Sequence, residues 1–184
     1  MLAFAQVSNT LMPVRVPTGQ VFDQKCVVFA LDDFAEMAML SSNIHSAWVM
    51  RYTATMRTDI SYSPTDAFLT LPRPRPTAEL QALGRQLDGT RQELMMSRSW
   101  GLTSTYNRVH DPNCHDPSVR EIRELHTEVD EAVMRAYGWD DLDLKVGHHP
   151  TKIGIRWMVS KEARFELLDR LLEENHRRYR LENP

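Results

Sequence analysis

The spacing of apolar positions changes along the chain, and the changes mark its elements. Residues 2–30 hold two apolar, β-branched runs, LAFAQVS and KCVVFAL, around PVRVPTGQVF, where Pro13, Pro17 and Gly19 punctuate extended backbone. This pattern predicts two or three short strands. From Asp32 the repeat becomes helical, carried by Phe34, Met37, Met39, Leu40, Ile44, Trp48 and Val49. One helix is expected there, or two abutting ones broken near Ser41 and Ser42. Beyond a polar, arginine-rich stretch, Thr77 opens a helix whose Leu80, Leu83, Leu87 and Leu94 keep one apolar face to about Arg98. Gly84 and Gly89 are expected to weaken it slightly. Asp116 and Pro117 form an N-cap with a first-turn proline, and Val119, Ile122, Leu125, Val129 and Val133 line one side until Gly138 stops the helix. KIGIRWMVS alternates as a short strand, and Ser160 caps a last helix carrying Ala163, Leu167, Leu168, Leu171 and Leu172. Its final HRRYR complements the helix dipole. The expected class is α+β, with short N-terminal strands followed by a mostly helical C-terminal part.

With 184 residues and 42% hydrophobic content the chain can bury a core of one domain or two small ones. No run approaches the roughly 18 apolar residues of a membrane span, and MLAFAQVSNT does not read as a signal peptide. No membrane contact and a cytoplasmic location are expected. Cys26 and Cys114 lie far apart, in an apolar run and a polar loop, which does not indicate a disulfide framework. A net charge of -3 excludes a wholly basic nucleic-acid binder, so any DNA contact must be confined to a patch.

The segment from His45 to Pro76 offers such a patch. It places Arg51, Arg57, Arg73 and Arg75 against only Asp59 and Asp66, with hydroxyl-rich turns and a Pro-Arg-Pro-Arg-Pro exit. Local sign decides which face meets phosphates. By composition the segment reads either as a nucleic-acid-facing junction or as a solvated loop between helices.

Catalytic chemistry has little footing in these residues. The densest ligand cluster, His110, Asp111, Cys114, His115 and Asp116, lacks the partner spacing of a zinc site, and His148 and His149 before Pro150 have none either. Asp143, Leu144 and Lys145 match the acid-x-Lys tripeptide of a magnesium nuclease by letter, without a preceding core strand. Neither a GxSxG elbow nor a glycine-rich phosphate loop occurs. No metal site and no catalytic motif are expected.

Several phrases taken together resemble one family: VSNTLMPVRVPTGQVF, VVFALDD, SSNIHSAWV, YSPTDAFLTLPRP, GLTSTYNRVHDP, IRELHTEVDEAVMRAYGW and VSKEARFELLDRLLEENHRRY. They are similar to the C-terminal part of type IIG and IIL restriction-modification enzymes and of related N6-adenine-specific DNA methyltransferases. The resemblance implies a partial target-recognition domain with its junction over residues 1–76 and a helical C-terminal domain over 77–184. It implies duplex DNA as partner, and an S-adenosylmethionine-dependent methyltransferase domain outside this chain; no cofactor is expected within it. Within that frame Arg51, Thr53, Arg57, Tyr62 and Ser63 are the leading DNA-contact candidates, followed by Ser8, Asn9, Thr10 and Arg15 in a polar turn between strands. The alternative is an interaction module that docks on a separate methyltransferase subunit and does not bind DNA alone. The SPTDAFLTLP segment is expected to be a capped turn, and His126 a hydrogen-bonded packing residue.

Overall fold

The structure, a computed structural model, describes residues 1–56 and 59–183. It is an α+β fold, strand-rich at the start and helical afterwards. Strands β1 (Leu2–Ala5), β3 (Val14–Arg15) and β4 (Cys26–Phe29) make an antiparallel sheet in the order β3-β1-β4. Strand β2 (Val7–Ser8) belongs to a second sheet with β5 (Thr55–Met56) and β6 (Asp59–Ser61), in the order β2-β6-β5. Two of these strands fall within the arginine-rich segment, which is therefore folded against the N-terminus and is more than a connecting loop. Val7 pairs with Ser61 and Ser8 with Ile60.

Helices α1 (Phe34–Ser41) and α2 (Asn43–Tyr52) are separated at Ser42, which has extended backbone and whose hydroxyl accepts the His45 N–H. A short π-helical turn, Pro64–Phe68, starts at Ser63. Thr77, Asp116 and Ser160 cap α3 (Ala78–Arg98), α5 (Pro117–Tyr137) and α6 (Lys161–Glu182), and Gly138 closes α5 in the left-handed region at φ 75°. These ends follow the expected caps. Besides β5 and β6, two further elements have no counterpart in the sequence reading. Helix α4 (Leu102–Val109) is rich in hydroxyls, and β7 (Gly147–Thr151), made of Gly-His-His-Pro-Thr, has low strand propensity and forms only by pairing with β8 (Gly154–Met158).

Two apolar clusters hold these elements. The larger gathers Ala38, Ile44 and Trp48 with Leu87, Ile122, Val129, Leu167 and Leu171. The smaller joins Leu2, Phe4, Phe29, Met37, Leu40, Ile60, Tyr62 and Ile153. Helix α1 lies between them, which is why six of its eight residues are buried and it carries no polar face. It packs against α3 at Gly84, where an added Cβ would collide with the Phe34 carbonyl. Gly84 is thus an inter-helix contact point rather than a mere weakness of α3.

Arg123 and Asp130 are polar groups inside the fold with well-matched partners. Arg123 is buried and donates to the carbonyls of Arg108, Val109, Asp111 and Cys114 at 2.7–2.9 Å, fixing the loop after α4 from within. Asp130 accepts the Asn43 backbone N–H at 2.7 Å and its side-chain amide at 2.6 Å, so α5 holds the N-terminus of α2. Burial lifts the Asp130 carboxyl to about 7.

His126 and His45 occupy matching settings. Each is buried, with its Nε2 against a tyrosine hydroxyl, Tyr106 at 2.9 Å and Tyr62 at 3.0 Å. His45 Nδ1 lies 2.8 Å from the Leu40 carbonyl, so Nδ1 carries the proton and the Tyr62 hydroxyl donates to Nε2. Burial lowers His45 to about 4 and His126 to about 3, and lowers His110 to about 3 with the help of Arg156.

These shifts have a consequence for stability. The unfolded chain takes up protons on these histidines near their ordinary 6.5, whereas the native chain does not. Their contribution is complete above that value and is lost as pH falls toward 3–4. Asp130, raised in the native state, works in the opposite sense between about 4 and 7. Three protons against one leave a net loss on the order of 2–3 kcal/mol per pH unit between pH 6 and 5. Thermal unfolding at pH 7, 6 and 5 should therefore show a falling Tm; a flat profile would mean that these histidines are solvated.

Candidate nucleic-acid interface

The expected contact residues separate into an outward and an inward set. Ser8, Asn9 and Thr10 form a tight turn after β2, in which the Ser8 hydroxyl accepts the Thr10 N–H at 2.9 Å. Ser8 and Asn9 are partly exposed, whereas Thr10 is buried and donates to Asn9 Oδ1 at 3.1 Å. Arg51 is exposed in the last turn of α2, with its guanidinium 5.7 Å from the Tyr52 ring. Ser63 is partly exposed, bonded to Thr65 and capping the π-helical turn, the capped-turn role expected of that segment.

Other members are committed to the interior. Thr53 is buried and donates to the Val49 carbonyl at 2.8 Å, ending α2. Tyr62 is only 2% exposed; it stacks on Phe4 with ring centres 5.1 Å apart and donates to His45. Burial pushes its phenol above the usual range. Thr10, Thr53 and Tyr62 therefore shape the surface from beneath and present no free hydroxyl to a base edge in this conformation. Arg15 is half-buried, held by the Asp32 carboxylate at 2.8 Å and its carbonyl at 2.7 Å, and lies over Phe34. Its charge already has a carboxylate beside it, one shared with the N-terminal ammonium. Arg57 lies outside the described residues.

Beside the Ser8–Thr10 turn the C-terminal half supplies residues that the sequence reading passed over. A cavity of about 30 Å³, room for one or two waters, is lined by Asn9, Met50, His110, Ile153 and Arg156. The β7–β8 hairpin forms one wall. Lys152 at its tip donates to the Met50 carbonyl at 2.6 Å, next to Arg51. A signal for this element was present: residues 144–161 contain no Asp or Glu but hold Lys145, Lys152, Arg156, Lys161 and two histidines.

The remaining chemical candidates have structural employment. His110 Nδ1 accepts the Trp157 N–H at 3.1 Å. Asp143 accepts the Lys145 N–H at 3.0 Å, and Lys145 sits in the left-handed region at φ 46°, so the nuclease-like tripeptide is a turn rather than a strand. Gly101 is the N-cap of α4 but follows another helix, and none of the glycines joins a strand to a helix in the manner of a cofactor-binding turn.

Residues 8–75 match the family model described as MmeI, target recognition domain. This segment is similar to the MmeI target recognition domain. It runs from the Ser8–Thr10 turn through the Arg51 end of α2 to the proline-rich exit, and so includes every outward-facing candidate named above. The fold is similar to that of the type IIL restriction-modification enzyme MmeI, solved in complex with DNA, at 17% identity and a TM-score of 0.51, covering 96% of this chain and 21% of that one. The MmeI likeness at this identity is one of fold, and the chain spans about a fifth of the length of the solved enzyme. No curated protein matches the sequence. Among the described residues no helix is long and apolar enough to cross a membrane.

Proposed function

We propose that this chain is the DNA target-recognition and C-terminal portion of a restriction-modification enzyme. The observation that carries this reading is the MmeI target-recognition match over residues 8–75, combined with the placement of Ser8, Asn9, Arg51 and Ser63 at the surface of that segment. Asn9 and Ser8 have the donors and acceptors to address base edges, and Arg51 offers a charge for phosphates. Residues 1–76 would act as the recognition unit and 77–184 as its helical support. N6-adenine methylation, with S-adenosylmethionine, would be the work of a domain outside this chain.

The reading is tested by binding to a short duplex across a salt series. Each phosphate contact contributes about 0.9 to the slope of log K against log salt. The Arg51→Ala/Arg57→Ala variant should bind more weakly and with a slope shallower by about 1–2. Binding that is insensitive to salt in both proteins would overturn the reading.

One observation favours docking on a methyltransferase subunit as a second role. Helix α6 exposes Phe165 (59%), Leu172 and Tyr179 (65%), and Leu69 on the π-helical turn side is also open. Apolar surface of this kind suits a protein partner. If docking replaces DNA binding, the isolated chain should self-associate without affinity for duplex.

A further inference from the structure

We propose that the β7–β8 hairpin is a second DNA-contacting arm, in which Lys152 and Arg156 hold phosphates of the same duplex that the Ser8–Thr10 turn addresses. This inference rests on the DNA-recognition reading above and extends its surface into the helical half of the chain.

Position is the first argument. Ile153 at the hairpin tip is buried in the smaller apolar cluster among Leu2, Leu11, Ile60 and Tyr62, so the tip is anchored on the recognition segment. Lys152 reaches the Met50 carbonyl, one residue before Arg51, and Arg156 lines the same cavity as Asn9. Two cations from the C-terminal half thereby flank Asn9 and Arg51, two of the four outward-facing candidates of the N-terminal half. A two-stranded ribbon is also a shape that fits against duplex DNA.

Charge is the second. Eight arginines elsewhere are spent on carboxylates, among them Arg73 on Glu36, Arg135 on Glu79, Arg170 on Asp141 and Glu166, and Arg177 and Arg178 on Glu174. Among the described residues neither Lys152 nor Arg156 has a carboxylate within 4.0 Å. The Arg156 guanidinium donates Nη1 only to the Ile155 carbonyl at 2.9 Å, with Nε buried behind it, and the acid-free run 144–161 leaves the hairpin without internal neutralisation. An unneutralised guanidinium and ammonium on an anchored ribbon form a ready phosphate clamp.

A purely structural role is the competing account, since Lys152 also answers the negative end of the α2 dipole. Binding of the chain to a 20-base-pair duplex, followed from about 50 to 200 mM salt, separates the two. The Lys152→Gln/Arg156→Gln variant should show a slope shallower by about 1.8, at 0.9 per contact, while Lys161→Gln/Arg180→Gln leaves it unchanged. A steep wild-type slope that neither pair alters, or that both alter equally, would overturn the hairpin assignment and leave the recognition reading standing. Salt-insensitive or absent wild-type binding would overturn both. Lysine acetylation of the wild-type chain needs no variant: Lys152 should lose reactivity when duplex is added, and unchanged reactivity would overturn its phosphate contact.

Discussion

Asp130→Ala is expected to cost about 3 kcal/mol or more. The carboxylate accepts both the backbone N–H and the side-chain amide of Asn43. Removing it strands two buried donors, each at a penalty of about 1–3 kcal/mol, and leaves a small cavity. The neighbouring cap does not compensate, because the Ser42 hydroxyl is already engaged with the His45 N–H. Helix α2 would lose its fixed origin, and Arg51 at its far end would lose its position. Urea unfolding should show a clear drop in midpoint at unchanged m-value. Asp130→Asn keeps the shape and one acceptor and should lose less than half as much. A near-wild-type midpoint for the alanine variant would mean that Asn43 finds other partners.

Two glycines in one helix should respond oppositely to the same change. Gly84→Ala pushes a methyl group into the Phe34 carbonyl and against Ala38, forcing α1 and α3 apart. Overpacking of this kind costs about 1–3 kcal/mol and sometimes more, which outweighs the roughly 1 kcal/mol that alanine gains over glycine in a helix. A Cβ on Gly89 meets nothing within 4 Å. Gly89→Ala should therefore stabilise by about 0.5–1 kcal/mol. Paired thermal melts decide the matter: equal shifts of the same sign would remove the claim that the backbones of α1 and α3 meet closely at Gly84.

The contrast also shows where sequence reasoning succeeds. Helix ends were legible because their signals are local: Thr77, Asp116 with Pro117, Gly138 and Ser160 act on backbone groups within a turn. The role of Gly84 was not, since the atom it accommodates lies fifty residues earlier. Strand β7 was missed for a similar reason; His148 and His149 become strand residues only opposite Trp157 and Arg156.

Within the candidate interface, residue type identified hydroxyls and cations but not their direction. Tyr62 and Thr53 carry groups suited to DNA, yet the smaller cluster turns Tyr62 toward Phe4 and His45, and Thr53 closes α2 on itself. Arg15 has the right charge and a carboxylate already beside it. The family resemblance located the segment correctly, whereas the contact between Lys152 and Met50 spans 102 positions. No local pattern carries that information.

The buried guanidinium of Arg123 bears on how this molecule can change over evolutionary time. Four carbonyls of residues 108–114 point at one side chain on α5, while Asp111, Pro112 and Asn113 face solvent. The path of that loop is encoded by a residue outside it, through groups that every amino acid possesses. Its exposed letters are consequently at liberty to drift, and a library randomised at 111–113 should yield mostly folded proteins, provided Arg123 stays.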